Sequence, residues 1–409
     1  MPATAFAALT LIVGGAVLRV PVAVILGLVL LMLEVVHVIW MEQGLEDVTY
    51  VRRLATNRTS WGDDIPMTIE VWNRKRLPLA WLRADDVASD GIEVRGRQLV
   101  ETNHAGDVMR NTWTLAPFER VVRHVRLIAD HRGVFELGPV SLTVGDLFAR
   151  PAATVERSTV DRFIVRPRTV AAPGLARPDR WGDVHRSRAG LAEDVSRFAG
   201  VRPYVPGDPL RRIHPRTSAR LGRPMTKRFE PSQERHVLIA LDVKTAEGPA
   251  WAAPFGSDDF ETLCVIAASL ARSLAAERTA FGITAAGYTR SPTRFADIAI
   301  SESPGQLDSV LDLLARLSAR PSAGFDRLLA RIRRTTQAGT TVVIVSARGR
   351  SLELPELRRL RRAGYDIVIL ACGESAADGA AVARAAGFAA RTARLDGPWR
   401  TASRLIVDE

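Results

Sequence analysis

The fold of the C-terminal part of this chain is decided by the segment HVLIALDV, residues 236–243. Its unbroken apolar run, residues 237–241, ends at Asp242. Such a run is typical of a parallel β-strand that is buried on both faces of a sheet. The segment therefore predicts a central strand and places Asp242 at the edge where parallel sheets bind ligands.

Strand and helix patterns alternate from this segment to the end of the chain. They predict helices at 258–278, 304–318, 324–336, 353–363 and 376–386, and strands at 279–287, Thr340–Ser346, Tyr365–Cys372 and Leu405–Val407. This alternation predicts an α/β domain over residues 233–409, built on a doubly wound parallel sheet. Its ligand-binding edge would lie at the strand ends 242–244, 346–348 and 371–373.

Residues 43–172 predict a β-rich domain. Short apolar runs such as Met67–Val71 and Val121–Ile128 are separated by turn residues at intervals typical of a small sandwich or barrel. The three histidines of this region, at 104, 124 and 131, stand far apart in sequence and lack partners at metal-ligand spacing. We therefore expect surface or turn histidines and a small β-sandwich-like domain.

The N-terminus predicts a membrane segment. From Ala3 to Trp40 the chain is apolar except for Arg19, Glu34 and His37. Because a span needs about 20 apolar residues, we predict a transmembrane hairpin over residues 1–42 that turns at residues 19–21. A single span over residues 20–40, preceded by an interfacial helix, is the alternative.

Basic residues shortly after the apolar segment indicate its orientation. They are Arg52, Arg53 and Arg58. Positive charge near a span favours the cytoplasmic side, so we expect a multi-pass protein of the cell membrane whose large C-terminal part faces the cytoplasm.

Composition restricts the possible functions of the 409 residues. The formal charge is +11, and 53 of the 56 basic residues are Arg because Lys occurs only three times. The two cysteines, Cys264 and Cys372, exclude a disulfide scaffold and a Cys-rich metal site, and both are predicted to be core residues. The sequence contains no Walker A loop, dinucleotide fingerprint, nucleophile elbow or zinc-protease motif. We therefore expect no enzyme and no cofactor.

Residues 173–232 form a region of different character. A polar linker is predicted up to residue 194, and a dense, basic run follows. Between residues 201 and 230 there are two acidic residues and eight basic ones, which are Arg202, Arg211, Arg212, Arg216, Arg220, Arg223, Lys227 and Arg228. Such a run can bind nucleic acid, anionic lipid or an acidic protein. An ordered loop, in which Asp208 pairs with Arg212 or Arg220, explains it equally well.

This run, together with the order of the parts, resembles the bacterial "domain of unknown function 58" proteins. The pattern lies within residues 200–220, and we call its members the signature residues. They are Gly200, Arg202, Tyr204, Pro206, Gly207, Asp208, Arg212, Ile213, Ser218, Ala219 and Arg220. Residues 73–78, 132–139 and 145–148 also look like segments of that family. One departure is Pro215, where the family usually has Trp.

The resemblance implies that residues 233–409 are similar to a von Willebrand factor A domain. Such domains often bind Mg²⁺ through Asp-x-Ser-x-Ser, a Thr and a second Asp. The matching positions here are Asp242, Lys244, Ala246, Phe325 and Ala347. Only one oxygen ligand remains, so we expect no metal and instead an ion pair between Lys244 and Asp242.

The resemblance also implies a function. Similar proteins are commonly encoded beside AAA+ ATPases of the MoxR type and beside membrane-bound transglutaminase-like proteins. We therefore expect a membrane-anchored, non-enzymatic scaffold or adaptor with an ATPase and other membrane proteins as partners, and with the signature residues as candidate partner contacts. The alternative is a binder of nucleic acid or anionic lipid that acts through residues 201–230, although no specific nucleic acid is expected.

Overall fold

The computed structural model describes residues 3–96, 99–102, 106–145, 151–173, 193–205, 208, 210–231, 236–245, 258–289 and 293–408. The chain divides into two compact units, Met1–Arg166 and Pro167–Glu409. The architecture is mixed α/β, with an apolar N-terminal helix and several sheets. The predicted linker lies almost wholly outside the described residues, as do His104 and residues 146–148 of the family-like segments.

Two helices begin the first unit, α1 (Ala3–Val17) and α2 (Pro21–Gln43). The turn between them passes through Arg19, which has a left-handed φ of 54°. Gly27 allows the helices to pack closely, because a Cβ there would lie 2.6 Å from a side-chain carbon of Ile12. Within the described residues, only α2 is both long and apolar enough to cross a membrane, with a mean hydropathy of 2.8. Membrane anchors and signal sequences share this length and composition.

Eleven strands make up the rest of the first unit as far as the structure describes it. They are β1 (Val48–Leu54), β2 (Arg58–Ser60), β3 (Ile65–Asn73), β4 (Leu79–Ala88), β5 (Ile92–Val94), β6 (Val100–Thr102), β7 (Gly106–Leu115), β8 (Arg120–Ala129), β9 (Gly133–Gly145), β10 (Pro151–Arg157) and β11 (Asp161–Arg166). One sheet has the order β1-β3-β8-β5, and the other has the order β2-β11-β9-β4-β7-β6, with β10 paired to β9. Both sheets supply residues to one buried core, for example Ile69 and Leu127 from the first and Leu82 and Phe163 from the second.

A buried charge network links these two sheets. Asp86 of β4 is fully buried, and Arg52 of β1 donates from Nη1 to its Oδ1 at 2.6 Å. The Tyr50 hydroxyl donates to Oδ2 at 2.5 Å, and Arg52 also donates to the carbonyl of Thr159 at 2.7 Å. These bonds compensate the burial of both charges, which would otherwise cost several kcal/mol.

The second unit contains a small hairpin followed by an α/β sheet. Its elements are β12 (Glu193–Pro203), α3 (Pro215–Leu221), β13 (Met225–Pro231), β14 (His236–Leu241), α4 (Asp258–Ala276), β15 (Ala280–Ala285), β16 (Ala296–Ser301), α5 (Gln306–Arg316), α6 (Phe325–Thr335), β17 (Thr341–Ser346), α7 (Leu354–Arg362), β18 (Asp366–Ala371), α8 (Ala376–Ala385), β19 (Ala389–Leu395) and β20 (Leu405–Asp408). The seven-stranded sheet has the order β16-β15-β14-β17-β18-β19-β20, and β12 pairs only with β13.

The prediction of a parallel sheet is correct for the centre and wrong for the edges. Strands β15, β14, β17, β18 and β19 run parallel, whereas β16 and β20 are antiparallel to their neighbours. The patterns did not predict β16 or β19. Each of them lacks the continuous apolar run of a strand buried on both faces, since β16 alternates and β19 carries Arg391, Thr392 and Arg394.

Replacement of Asp86 tests the buried charge network. Asp86→Ala leaves the buried Arg52 guanidinium with Asp161 as its remaining carboxylate, at 3.0 Å, and leaves the Tyr50 hydroxyl without its acceptor. We therefore expect the free energy of unfolding to fall by about 3 kcal/mol, the lower end of the cost of breaking a buried pair. The measurement is urea unfolding of the full chain in detergent, with tryptophan fluorescence as the signal.

The adjacent residue provides a matched control. Asp85 pairs with the half-exposed Arg110 at 2.7 Å, so Asp85→Ala should cost at most about 1 kcal/mol. Equal losses for the two variants would contradict the claim that the Asp86 network holds the sheets together.

Candidate functional site

The carboxylate of Asp242 is the centre of a cluster at the carboxyl edge of the α/β sheet. Asp242 follows β14 directly and is 2% exposed. Its Oδ2 accepts hydrogen bonds from the Ser346 hydroxyl at 2.9 Å and from Nε of Arg348 at 2.5 Å. Its Oδ1 accepts a hydrogen bond from the backbone N–H of Lys244 at 3.2 Å. Since β14 and β17 are adjacent and parallel, their ends meet and bring Ser346 and Arg348 to Asp242.

The expected ion pair between Lys244 and Asp242 is wrong. The salt bridge comes from Arg348, whose guanidinium faces the carboxylate with both Nε and Nη2. Lys244 lies only two residues beyond Asp242 and contributes its backbone N–H. A planar guanidinium presents two parallel N–H donors to a carboxylate, which an ammonium group cannot do.

A cavity of about 290 Å³ opens beside this ion pair. Asp242, Lys244 and Phe325, three of the five positions where the family resemblance places metal ligands, line it together with Arg348. The Arg348 guanidinium lies 5.4 Å from the centre of the Phe325 ring. Ala347 follows β17, and Ala246 lies outside the described residues.

Three carboxylates line the cavity, those of Asp242, Asp326 and Glu353, but the described residues do not bring them together as a set of metal ligands. Phe325 has no oxygen donor, and Arg348 holds positive charge directly against the Asp242 carboxylate. Within the part of the chain that the structure describes, no group of three or more His, Cys, Asp or Glu side chains is arranged to hold a metal ion. Hard cations require several oxygen ligands, and at Asp242 the guanidinium of Arg348 lies where such a cation would have to approach the carboxylate.

The signature residues build a second cluster, in the hairpin of β12 and β13. Arg202 donates to Asp208 with two N–H groups, from Nη1 to Oδ2 at 2.7 Å and from Nη2 to Oδ1 at 2.6 Å. The Val205 backbone N–H and the Thr226 hydroxyl donate to the same Oδ2 at 3.1 and 3.2 Å. The Arg202 guanidinium, followed by these two donors, lowers the pKa of Asp208. The ion pair expected from Arg212 or Arg220 is therefore formed by Arg202.

The next signature residues hold α3 against β13. The Ser218 hydroxyl donates to the carbonyl of His214 at 2.9 Å and accepts from the backbone N–H of Met225 at 2.9 Å. The His214 ring accepts a hydrogen bond from the backbone N–H of Thr217 and so caps the helix. Pro215 begins α3, a position where the missing N–H of proline costs nothing. The departure from the family pattern at this residue is therefore compatible with an ordered helix.

The remaining signature residues fall into three groups. The first group makes backbone contacts within the hairpin and consists of Gly200 in β12, Ile213 and Tyr204. Ile213 forms a bridge with Thr226, and Tyr204 donates its N–H to the carbonyl of Pro224. Ala219 and Arg220 are exposed on α3, and Arg212 lies in the 3-10 turn Leu210–Arg212. Pro206 and Gly207 lie outside the described residues.

Four residues of these clusters were not predicted as site residues: Arg348, Ser346, His214 and Thr226. A signal for the first two was present, because the predicted end of the neighbouring strand contains both of them. For His214 and Thr226 the sequence held no comparable signal, since their roles depend on the pairing of β12 with β13.

Comparison with known proteins identifies the family over part of the chain. Residues 200–347 match the model of the family described as protein of unknown function DUF58. The "Uncharacterized protein YeaD" of Bacillus subtilis (strain 168) is 23% identical over 248 residues, which are 59% of this chain and 56% of that protein. The chain thus matches little more than half the length of this curated relative. The resemblance to the domain of unknown function 58 proteins is confirmed for the matched residues.

Solved structures show only distant likeness. Native alpha-2-macroglobulin from E. coli is 21% identical, with 30% of this chain and 7% of that chain covered and a TM-score of 0.20. A non-cellulosomal cohesin from Archaeoglobus fulgidus is 10% identical, with 29% and 91% covered and a TM-score of 0.20. Likeness at these TM-scores carries no argument about this chain.

Two substitutions distinguish Arg348 from Lys244 as the partner of Asp242. Arg348→Met leaves a buried carboxylate without its cation, so we expect the free energy of opening of β14 and β17 to fall by about 3–5 kcal/mol. Lys244→Met removes no ion pair with Asp242 and should change the same free energy of opening by less than about 0.5 kcal/mol. Amide hydrogen exchange of the full chain measures both, and the opposite order of effects would refute the assignment.

The hairpin ion pair predicts a pH dependence. Because the pKa of Asp208 is lowered in the folded state, its contribution is present at neutral pH and is lost as the pH falls below about 4. Amide exchange at Val205, corrected for the intrinsic rate, should therefore accelerate at low pH in the wild type. In Asp208→Asn it should already be fast at neutral pH. Slow, pH-independent exchange in that variant would show that Asp208 does not hold the loop.

Proposed function

We propose that this protein is a membrane-anchored, non-enzymatic scaffold whose α/β unit docks another protein at the carboxyl edge of its sheet. One observation carries the proposal. At the edge where ligands of α/β sheets bind, Asp242 is already neutralised by Arg348, and a side-chain-lined cavity stays open beside the pair. A site arranged in this way offers shape and charge to a partner, while the Asp242 carboxylate is already occupied by the Arg348 guanidinium.

The cysteines support a non-enzymatic role. Cys264 and Cys372 are 0% and 1% exposed. Burial raises the pKa of the Cys372 thiol to about 12, which keeps it protonated at neutral pH. Neither thiol has the exposed, electropositive surroundings of a catalytic cysteine.

We further propose that α2 spans the membrane, that the shorter α1 inserts beside it as the second arm of a hairpin, and that the chain after α2 lies in the cytoplasm. The left-handed turn at Arg19 reverses the chain between two apolar helices, and most of α2 is not covered by protein. Arg52, Arg53 and Arg58 support the cytoplasmic orientation. In this proposal the first unit is a β-sandwich, since its two sheets share one core, and the second is a von Willebrand factor A-like domain.

The partner we propose is an AAA+ ATPase of the MoxR type. It follows from the family resemblance, which the match over residues 200–347 supports. The alternative, binding of nucleic acid through residues 201–230, is a separate outcome of the same experiment.

Affinity purification of the full-length protein from solubilised membranes tests this function. We expect mass spectrometry to identify an AAA+ ATPase among the recovered proteins, and we expect Lys244→Glu, in the cavity, to abolish its recovery. Arg334→Glu is the control, because it makes the same change of charge at an exposed position near the end of α6, outside the cavity lining. Urea unfolding checks that both variants are folded.

Two results would contradict the proposal. One is undiminished recovery of the ATPase with Lys244→Glu, which would remove the cavity from the docking surface. The other is recovery of nucleic acid in place of an ATPase, which would favour the alternative.

A further inference from the structure

Helix α3 is presented to its surroundings rather than packed into a core. None of its residues is buried. A helix of seven residues is too short to be stable alone, so it depends on the His214 cap, the Ser218 hydrogen bonds and the left-handed Gly222 at its end. The polar side chains of the hairpin therefore fix the position of a helix that has no buried residue.

Four arginines lie in this helix or close to its ends. Arg216 and Arg220 are four residues apart and share one face of α3, while Arg211 precedes the helix and Arg223 follows it. We call Arg211, Arg216, Arg220 and Arg223 the arginine face. All four are exposed. Over the described ranges, none of them forms a salt bridge, in contrast to Arg202, whose charge is neutralised by Asp208.

The chemistry of the arginine face matches phosphate groups. A guanidinium binds a phosphate through two parallel hydrogen bonds, and within the described residues no carboxylate neutralises these four guanidinium groups. Two exposed apolar side chains of the hairpin, Val205 and Leu221, are 55% and 47% exposed. Arginines beside exposed aliphatic groups are suited to an interface where phosphate headgroups lie above hydrocarbon.

The proposed anchor ties the arginine face to a bilayer. Once α2 is inserted, binding of the arginine face to the same bilayer is an intramolecular step, so contacts too weak for free association become effective. Each arginine near an anionic bilayer contributes a factor of about five to the ratio of docked to free forms. We propose that the arginine face binds the phosphate headgroups of anionic phospholipids in the membrane that holds α2. This inference rests on the proposed anchoring.

Full-length protein in lipid nanodiscs tests the inference. Leu221→Cys places one exposed thiol at the end of α3, and both native cysteines are buried, so a fluorophore attaches at this position alone. A spin-labelled lipid in the disc quenches the fluorophore when α3 lies on the bilayer. We expect quenching in discs that contain phosphatidylglycerol, little quenching in phosphatidylcholine discs, and loss of quenching at about 1 M salt, where the Debye length is about 3 Å.

A matched pair of charge reversals identifies the residues responsible. Arg216→Glu with Arg220→Glu should lower the docked-to-free ratio by at least about 25-fold. Arg333→Glu with Arg334→Glu makes the same change of net charge on exposed residues of α6 and should leave the quenching unchanged. Equal losses in both variants would show that only net charge matters and would overturn the inference.

The remaining outcomes separate this inference from the anchoring on which it rests. If the protein fails to co-elute with the discs, the proposed anchor is wrong. If it co-elutes but the label is not quenched, or is quenched equally in both lipids, the anchor stands and the inference fails. A fluorescence change on addition of duplex DNA or polyglutamate, without quenching in anionic discs, would assign the arginine face to nucleic acid or to an acidic protein instead.

Discussion

A carboxylate buried at the end of β14 is the constraint on which the α/β unit depends. Removal of the Asp242 charge from water costs several kcal/mol unless a cation and hydrogen-bond donors compensate it. Arg348 and Ser346 supply both, and they can do so only if β17 lies beside β14 and ends at the same level. The central strand pairing, the shape of the loop after β17 and the cavity beside it therefore depend on one another.

The same solution recurs in three places. Arg52 with Asp86 and Arg348 with Asp242 join a guanidinium to a carboxylate between neighbouring strands or their ends, and Arg202 with Asp208 does so within the hairpin. Arginine suits these three positions, since it stays charged when buried and presents several donors in a fixed plane. Arginine is mostly a surface residue in globular proteins. The side chain of Arg52, however, is almost wholly buried.

The central strands and most helices could be predicted from the sequence because their patterns are local. A continuous apolar run such as residues 237–241 has few alternatives to a buried parallel strand. The edge strand β16 and the strand β19 lack that run and were missed.

The partner of Asp242 was missed for a different reason. Lys244 is its neighbour in sequence, whereas Arg348 is brought to it by strand pairing across 106 residues. In the hairpin, the signature residues were recognised as a group, but the choice of Arg202 as the partner of Asp208 depends on the fold of the loop between β12 and β13.

The central claim is that the carboxyl edge of the sheet holds an internal ion pair in place of a metal ion. Calorimetric titration of the full-length protein with Mg²⁺ and Mn²⁺ tests it most directly. The account predicts no binding tighter than about millimolar, the weak end of protein affinities for such cations. A tighter site that disappears in Asp242→Asn would contradict it.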